Sequence, residues 1–337
     1  MENKKVTIIA EIAQGYEGNP IYSNLYVKAA AKAGADAVKF QLVYADELAV
    51  PDYKYYDLFK SLEMSDEIWQ NIAYVAAENK IALQLDIFGE RSLKLAEKLG
   101  VHAVKIHATD ISNKRLLNLV ANTNIKTILL GVGGGFQSEI NVALEILAKK
   151  EVVLLFGFQS YPTLNKDNHL SRIKFAKEIL FKQHKQLSIG FADHANPETN
   201  IHLGLGTLAI GLGATVLEKH LTLSKKMMME DHESALNPDE FYEYVKFIHE
   251  CTSALSDSNN ADDFGMTESE LNYRRVIRRH VVSINPIEEG QIISSDNLVL
   301  KRTSSDNAHF NINDLDGSIA TTIVPANSPI EKKNNEI

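Results

Sequence analysis

Eight short apolar runs, each followed by a longer amphipathic stretch, constrain the fold of this chain more than any other feature. The runs are Val6–Ile12, Ala37–Gln41, Ala82–Ile87, Ala103–Ile106, Thr127–Leu130, Val152–Phe156, Leu187–Phe191 and Ala214–Glu218. Their length and β-branched content read as strands buried on both faces. Between them, Asn24–Ala33, Glu67–Asn79, Ser92–Leu99, Asn113–Ala121, Ser138–Lys149 and Leu170–Phe181 carry apolar residues at helical spacing; Ile201–Leu212 is more apolar throughout, and Asp239–Leu255 closes the series. Eight strand–helix units in about 250 residues predict an α/β fold of the (β/α)8 TIM-barrel type. A doubly wound open sheet is the other arrangement with this alternation. It would bring a glycine-rich phosphate fingerprint after the first strand, and Glu11-Ile-Ala-Gln-Gly is not one.

A barrel places chemistry at the carboxyl ends of its strands, and polar residues gather there. Glu11 ends the first run, Lys39 and Gln41 the second, Asp86 the third, and Lys105 with His107 the fourth. Gln159 and Tyr161 follow the sixth, Asp193 and His194 the seventh, and Glu218 to His220 the eighth. His194 and His220 each follow an apolar run. If those strands are neighbours in a parallel sheet, both imidazoles leave the same edge and can share one metal ion. Imidazole suits Zn, Mn or Fe, with carboxylate or water completing an open shell; two unrelated histidines are the alternative.

The charge balance, 35 Lys+Arg against 44 Asp+Glu over 337 residues, argues against nucleic acid or an acidic membrane as partner but permits an anionic small substrate. The single cysteine, Cys251, precludes an intrachain disulfide. The amino terminus shows no signal-peptide apolar region and no stretch reaches membrane-spanning length, so a cytoplasmic protein is expected. After Leu255 the composition turns to Ser, Asp and Asn. This predicts a barrel domain over 1–255, a linker over 256–272 and a small β-rich module over 273–337, opened by Tyr273-Arg-Arg-Val-Ile-Arg-Arg-His.

With these elements in place the chain resembles the sialic acid synthase family, which includes synthases of other nonulosonic acids. The resemblance is carried by Ile9-Ala-Glu-Ile, Gly34-Ala-Asp-Ala-Val-Lys-Phe-Gln, Val104-Lys-Ile, Tyr161-Pro-Thr, Ile189-Gly-Phe-Ala-Asp-His, Gly213-Ala-Thr-Val-Leu-Glu-Lys-His and Asp231-His-Glu-Ser-Ala-Leu-Asn-Pro-Asp-Glu-Phe. The order and spacing of these motifs are specific where each alone is weak. The terminal module looks like that family's antifreeze-like (SAF) domain, with Arg278-Arg279 at its opening.

The resemblance implies a transferase that condenses phosphoenolpyruvate with an N-acylated amino sugar, using Mn²⁺ or Mg²⁺, to give a nonulosonic (2-keto sugar) acid. It also implies a domain-swapped homodimer in which Arg278 or Arg279 reaches the partner's site. By position, His194 and His220 match metal ligands, and Glu11 matches the acidic residue near the sugar. Lys39, Lys105 and Tyr161 match the phosphoenolpyruvate site, and Glu218 and Asp231 match the glutamate and the sugar-holding aspartate. Glu11, Asp110 and Glu218 are the candidate catalytic carboxylates; Gln41, Thr109 and Gln159 complete the candidate substrate-binding set.

The chain departs from the family pattern at the phosphate. Ala108-Thr109-Asp110, Gly131-Val-Gly and Ala192 stand where hydroxyl residues are usual, and Asp86 replaces a Thr. Three readings stay open: a repacked pocket using Thr109, Gln159 and a glycine-rich backbone nest; a pyruvate-type aldolase; or a catalytically silent sugar binder.

Overall fold

The computed structural model describes residues 6–157, 160–181, 184, 186–255 and 265–332. It divides into two compact units between Ser256 and Asp257.

In the larger unit, eight parallel strands close into a barrel in sequence order. They are β1 (Thr7–Ala13), β2 (Ala37–Gln41), β3 (Ala82–Ile87), β4 (Ala103–Ile106), β5 (Thr127–Gly131), β6 (Glu151–Phe156), β7 (Leu187–Asp193) and β8 (Val216–His220). The amphipathic stretches form the outer helices. Pro20–Lys32 starts at Asn19, whose side-chain oxygen accepts from the Ile21 N–H at 2.9 Å, with Pro20 in the first turn, where a missing N–H costs nothing. Two short helices, Ala45–Leu48 and Tyr56–Ser61, occupy the segment after β2.

Side chains alternate across each strand, so every second residue enters the barrel. Ile9, Ala37, Leu129, Val153 and Val216 form a small apolar cluster inside it. Gly190 belongs to this layer by necessity: a Cβ there would lie 2.7 Å from Leu155 Cδ1 and 3.1 Å from Val153 Cγ1. Two residues further along β1, β2 and β8 the inward positions become Glu11, Lys39 and Glu218, and Lys105 of β4 joins them, so the alternation that fills the floor also furnishes the mouth. The residues facing the other way pack beneath the helices in the main core.

Strands β7 and β8 run two residues past the ends expected from the sequence, to Asp193 and His220. A charged residue looks like a strand end in a linear reading. Here the ladder continues, pairing Ala192 with Glu218 and Asp193 with Lys219.

The smaller unit pairs β9 (His280–Ser283) antiparallel with β10 (Leu298–Lys301) around Val281, Ile287, Ile293, Leu298, Leu315, Val324 and Ile330. The expected linker over 256–272 needs correction: Glu268–Ile277 is helical, running through Tyr273-Arg-Arg-Val-Ile, which the sequence reading placed at the start of a β-rich module. The cause is local. Thr267 Oγ1 accepts from the Glu270 N–H while the Glu270 carboxylate accepts from the Thr267 N–H, a reciprocal cap that nucleates a helix in polar sequence. Among the described residues no helix is long and apolar enough to cross a membrane.

Candidate active site

The register of the barrel assembles a charged cluster at its carboxyl end. Glu11 of β1 lies beside Lys39 of β2 on one side and His220 of β8 on the other; Asp86 of β3 lies beside Lys105 of β4. Lys39 Nζ donates to Glu11 and to Asp86 Oδ1 at 2.6 Å, and stands 3.4 Å from Glu218 Oε2. Lys105 Nζ donates to Glu218 Oε1 at 2.8 Å, with Asp86 Oδ2 at 3.5 Å and Glu11 Oε2 at 3.7 Å. All five side chains are buried. Such a group is tolerable only because each charge faces opposite charges at hydrogen-bond range.

Burial sets the protonation states. It pushes the Glu11 carboxyl up to about 8, with Lys39 opposing and Glu218 and Asp86 reinforcing the rise. Burial also disfavours ionised Glu218, yet Lys105 and Lys39 outweigh it and hold that carboxyl below the usual carboxylate range. For Lys105, burial is outweighed by Asp86, Glu218 and Glu11, and the ammonium is held well above its ordinary range. Two buried carboxyls pushed in opposite directions within one cleft are a recognised mark of acid–base function.

His194 and His220 meet beside this cluster, their ring centroids 5.2 Å apart. Tyr161, from the loop after β6, presents its ring edge-on to both, at 5.1 Å and 5.7 Å. Two hydrogen bonds to the His194 carbonyl, from the Thr163 N–H at 2.8 Å and from Ser234 Oγ at 3.0 Å, tie the flanking loops to this corner. Asp231 Oδ2 lies 3.8 Å from His220 Nδ1, and burial together with Glu230 and Glu233 raises the Asp231 carboxyl to about 7.

Desolvation lowers His194 to about 3 and, with His194 as neighbour, holds His220 well below its ordinary value. Both imidazoles are therefore neutral, the form that ligates a metal. His194 Nδ1 is buried without a hydrogen-bond partner. A lone pair left open in this way fits a divalent ion. Among the described residues no group of three or more His, Cys, Asp or Glu side chains has metal-holding geometry, so a divalent ion at this corner would rest on the two imidazoles alone, with water or substrate completing its shell. His232 does not join them: its Nδ1 lies 2.9 Å from the Met229 carbonyl oxygen.

The depressed histidine predicts a pH effect. Unfolded, His194 titrates near 6.5; folded, near 3. Between those values the unfolded state binds the extra proton, so the stability present above pH 6.5 is lost as pH falls toward 3, on the order of 5 kcal/mol in all. Urea unfolding of metal-free protein is expected to show His194→Gln losing about 2 kcal/mol less than wild type between pH 7 and pH 5. Identical slopes would sink the assignment.

The remaining expected site residues are dispersed. Gln41 accepts from Gln14 Nε2 at 2.8 Å on the β1–β2 side of the mouth. Thr109 Oγ1 is 2.9 Å from His107 Nδ1 and exposed, and Asp110 accepts from Asn113 Nδ2 at 2.9 Å, which spends both on the turn after β4. Gln159 lies outside the described residues. In the smaller unit the Arg278 guanidinium stacks over Phe310 at 3.2 Å, while Arg279 is exposed.

Two contacts among residues that the linear reading placed at the rim were not legible in it. Asp86, read there as a strand-end acid and as a departure at the phosphate, lies across the ladder from Lys105 and is part of the cluster. Asp193 and Lys219, each immediately before a site histidine, form a fully buried ion pair at 3.3 Å with each other and, among the described residues, no ion pair with the cluster, and the Lys219 ammonium also donates to the Ala195 carbonyl at 3.2 Å. The signal was available: opposite charges precede the two histidines on adjacent strands.

A closed parallel barrel with paired carboxyls, buried lysines and neutral histidines on its carboxyl rim is the frame of an enzyme site. The chain belongs to the NeuB family, whose model matches residues 26–260. It is 32% identical to an uncharacterised protein of Methanocaldococcus jannaschii over 88% of this chain and 84% of that one. It is 28% identical to the N,N'-diacetyllegionaminic acid synthase of Campylobacter jejuni, covering 94% and 96% of the two chains. Among solved structures it resembles the N-acetylneuraminic acid synthetase of Leptospira borgpetersenii in complex with citrate, with a TM-score of 0.71 at 26% identity over 82% of this chain and 93% of that one.

Proposed function

We propose that this chain is a sialic acid synthase-like transferase that forms a carbon–carbon bond between a three-carbon acid donor and an N-acylated amino-sugar aldehyde, giving a nonulosonic (2-keto sugar) acid. Phosphoenolpyruvate is the donor that the family resemblance implies, and pyruvate is the other donor with the required carbon skeleton. The observation that carries the reading is the juxtaposition of the Glu11–Lys39–Asp86–Lys105–Glu218 cluster with two neutral histidines on one rim. Simple sugar binding has no use for both.

His194 and His220 would hold a divalent ion, Mn²⁺ or Mg²⁺, which when bound supplies Lewis acidity to the aldehyde oxygen. Lys105, the less enclosed lysine, would receive the donor's carboxylate. Asp231, with its carboxyl raised to about 7, would hold a sugar hydroxyl as donor or acceptor near neutral pH. Glu11 and Glu218 are suited to opposite proton-transfer roles, one carrying a proton near neutrality and the other ionised. The smaller unit would act as an antifreeze-like module in a homodimer, offering Arg278 or Arg279 to the partner's site; light scattering that finds only monomer at micromolar concentration speaks against this arrangement.

The test is a panel of N-acylated amino-sugar aldehydes with phosphoenolpyruvate or pyruvate and Mn²⁺, following 2-keto sugar acid and phosphate separately. Product with either donor supports the synthase reading. Sugar binding without turnover of any pair would replace it with a silent binder.

A further inference from the structure

The two histidines of the site are anchored unequally. His220 remains inside the barrel ladder, paired with Glu11 of β1, and its carbonyl accepts from the Leu236 N–H at 2.9 Å. His194 lies one residue beyond the last paired position of β7, which is Asp193 opposite Lys219. On its other side β7 pairs with β6 as far as Phe191. The Thr163 N–H and Ser234 Oγ hold the His194 carbonyl, but both come from loops. Among the described residues the His194 ring takes no hydrogen bond at Nδ1. Its place relative to the His220 ring therefore depends on packing and on the backbone that carries it.

Asp193 and Lys219 tie the two strands together at this point. Both side chains are wholly enclosed, and Lys219 Nζ stands 3.3 Å from Asp193 Oδ1. The pair also grips the residue after His194 from two sides. Asp193 Oδ1 accepts from the Ala195 N–H at 2.8 Å, and Lys219 Nζ donates to the Ala195 carbonyl at 3.2 Å. A side chain of β8 thus holds the chain of β7 just past His194, and the next residue of β8 is His220. A shift at Asp193 or Lys219 is for that reason a shift of a ring. Net stability is a weak ground for burying such a pair, because desolvation offsets most of the attraction and apolar side chains of similar volume do as well. Fixed geometry is what the pair adds. Side chains that orient metal ligands without touching the ion tune its affinity, and losing one costs about ten- to a hundredfold.

We propose that Asp193 and Lys219 are positioning residues for a divalent-ion site at His194 and His220, an inference that rests on the reading of these histidines as metal ligands. The pair acts by fixing one imidazole against the other. With two imidazoles as the protein's share of the shell, their 5.2 Å centroid separation decides whether one ion can be shared. Loosening β7 against β8 separates the ligands without altering either ring.

Asp193→Asn/Lys219→Met removes both partners together, so that neither is left alone in the interior, and it leaves both histidines in place. Mn²⁺ titration of the full-length protein without substrate, read by EPR, is expected to show binding at least tenfold weaker than in wild type. The spectrum of the Mn²⁺ that still binds should broaden. Leu144→Ala, a core truncation in the outer helix Gln137–Ile146, is the control for stability. It should unfold at lower urea than wild type and bind Mn²⁺ as wild type does. Lys219→Met alone breaks the pair and the bond to the Ala195 carbonyl; it serves if the double variant does not fold, with the same loss expected. Wild-type Mn²⁺ affinity in these variants, or an equal loss in Leu144→Ala, would overturn the inference and leave the histidine site standing. Mn²⁺ binding that neither His194→Ala nor His220→Ala diminishes would remove the site itself, and the inference with it.

Discussion

His194→Ala and His220→Ala, made singly, are each expected to weaken Mn²⁺ binding by at least about a hundredfold and to lower condensation by roughly a thousandfold, about 4 kcal/mol of barrel-mouth chemistry. The physical ground is that the described residues bring together two imidazoles and no group of three or more potential ligands, so removing either would halve the protein's share of a divalent ion's coordination shell. Metal content after dialysis and Mn²⁺ titration read the effect directly, independent of activity. The metal-free variants should remain folded, because each loss truncates a neutral ring rather than stranding a charge. Undiminished metal binding in both variants would remove the assignment of these histidines.

Lys39→Met should produce the largest loss of stability of any single change at the mouth, about 3–5 kcal/mol, since it leaves Glu11, Asp86 and Glu218 buried with one ammonium among them. The cost arises from unpaired negative charge more than from lost attraction. A second substitution that removes one carboxylate is therefore expected to restore stability, and Lys39→Met/Asp86→Asn should recover about half of the deficit. Chemical denaturation of the two variants and of Asp86→Asn alone closes the cycle. Additive effects would mean that Lys39 and Asp86 are not coupled, against their 2.6 Å contact.

The same cluster marks how far a linear reading reaches. The alternation of apolar runs with amphipathic stretches reports burial, and burial is a property of residue type and spacing. For that reason β2, β3 and β4 fall where the sequence places them, to the residue. Strand ends are less legible. At Asp193 and at Lys219–His220 the sequence looks polar, and only the neighbouring strand shows that these residues remain within the ladder.

Residue type alone marked Glu11, Lys39, Lys105, Glu218 and the two histidines as chemistry-bearing, because ionisable groups at strand ends have few structural uses. Their pairing was beyond it. Which lysine is enclosed, that Asp86 touches both, and that Asp110 and Thr109 are spent on their own turn all depend on register and on the stagger of neighbouring strands. The glycines illustrate the same division. Gly131-Val-Gly is visible in the sequence as a glycine-rich nest, whereas the closeness of the Ala108 and Gly157 backbones, which leaves no space for a side chain, is not.

The sequence by itself thus determined the barrel, its order of strands and the rim on which the ionisable groups gather, since these follow from periodicity and composition. Tertiary structure alone decided the charge balance of that rim and the protonation states of its members. Those depend on distances of a few ångströms between residues far apart in the chain, and on the removal of water around them.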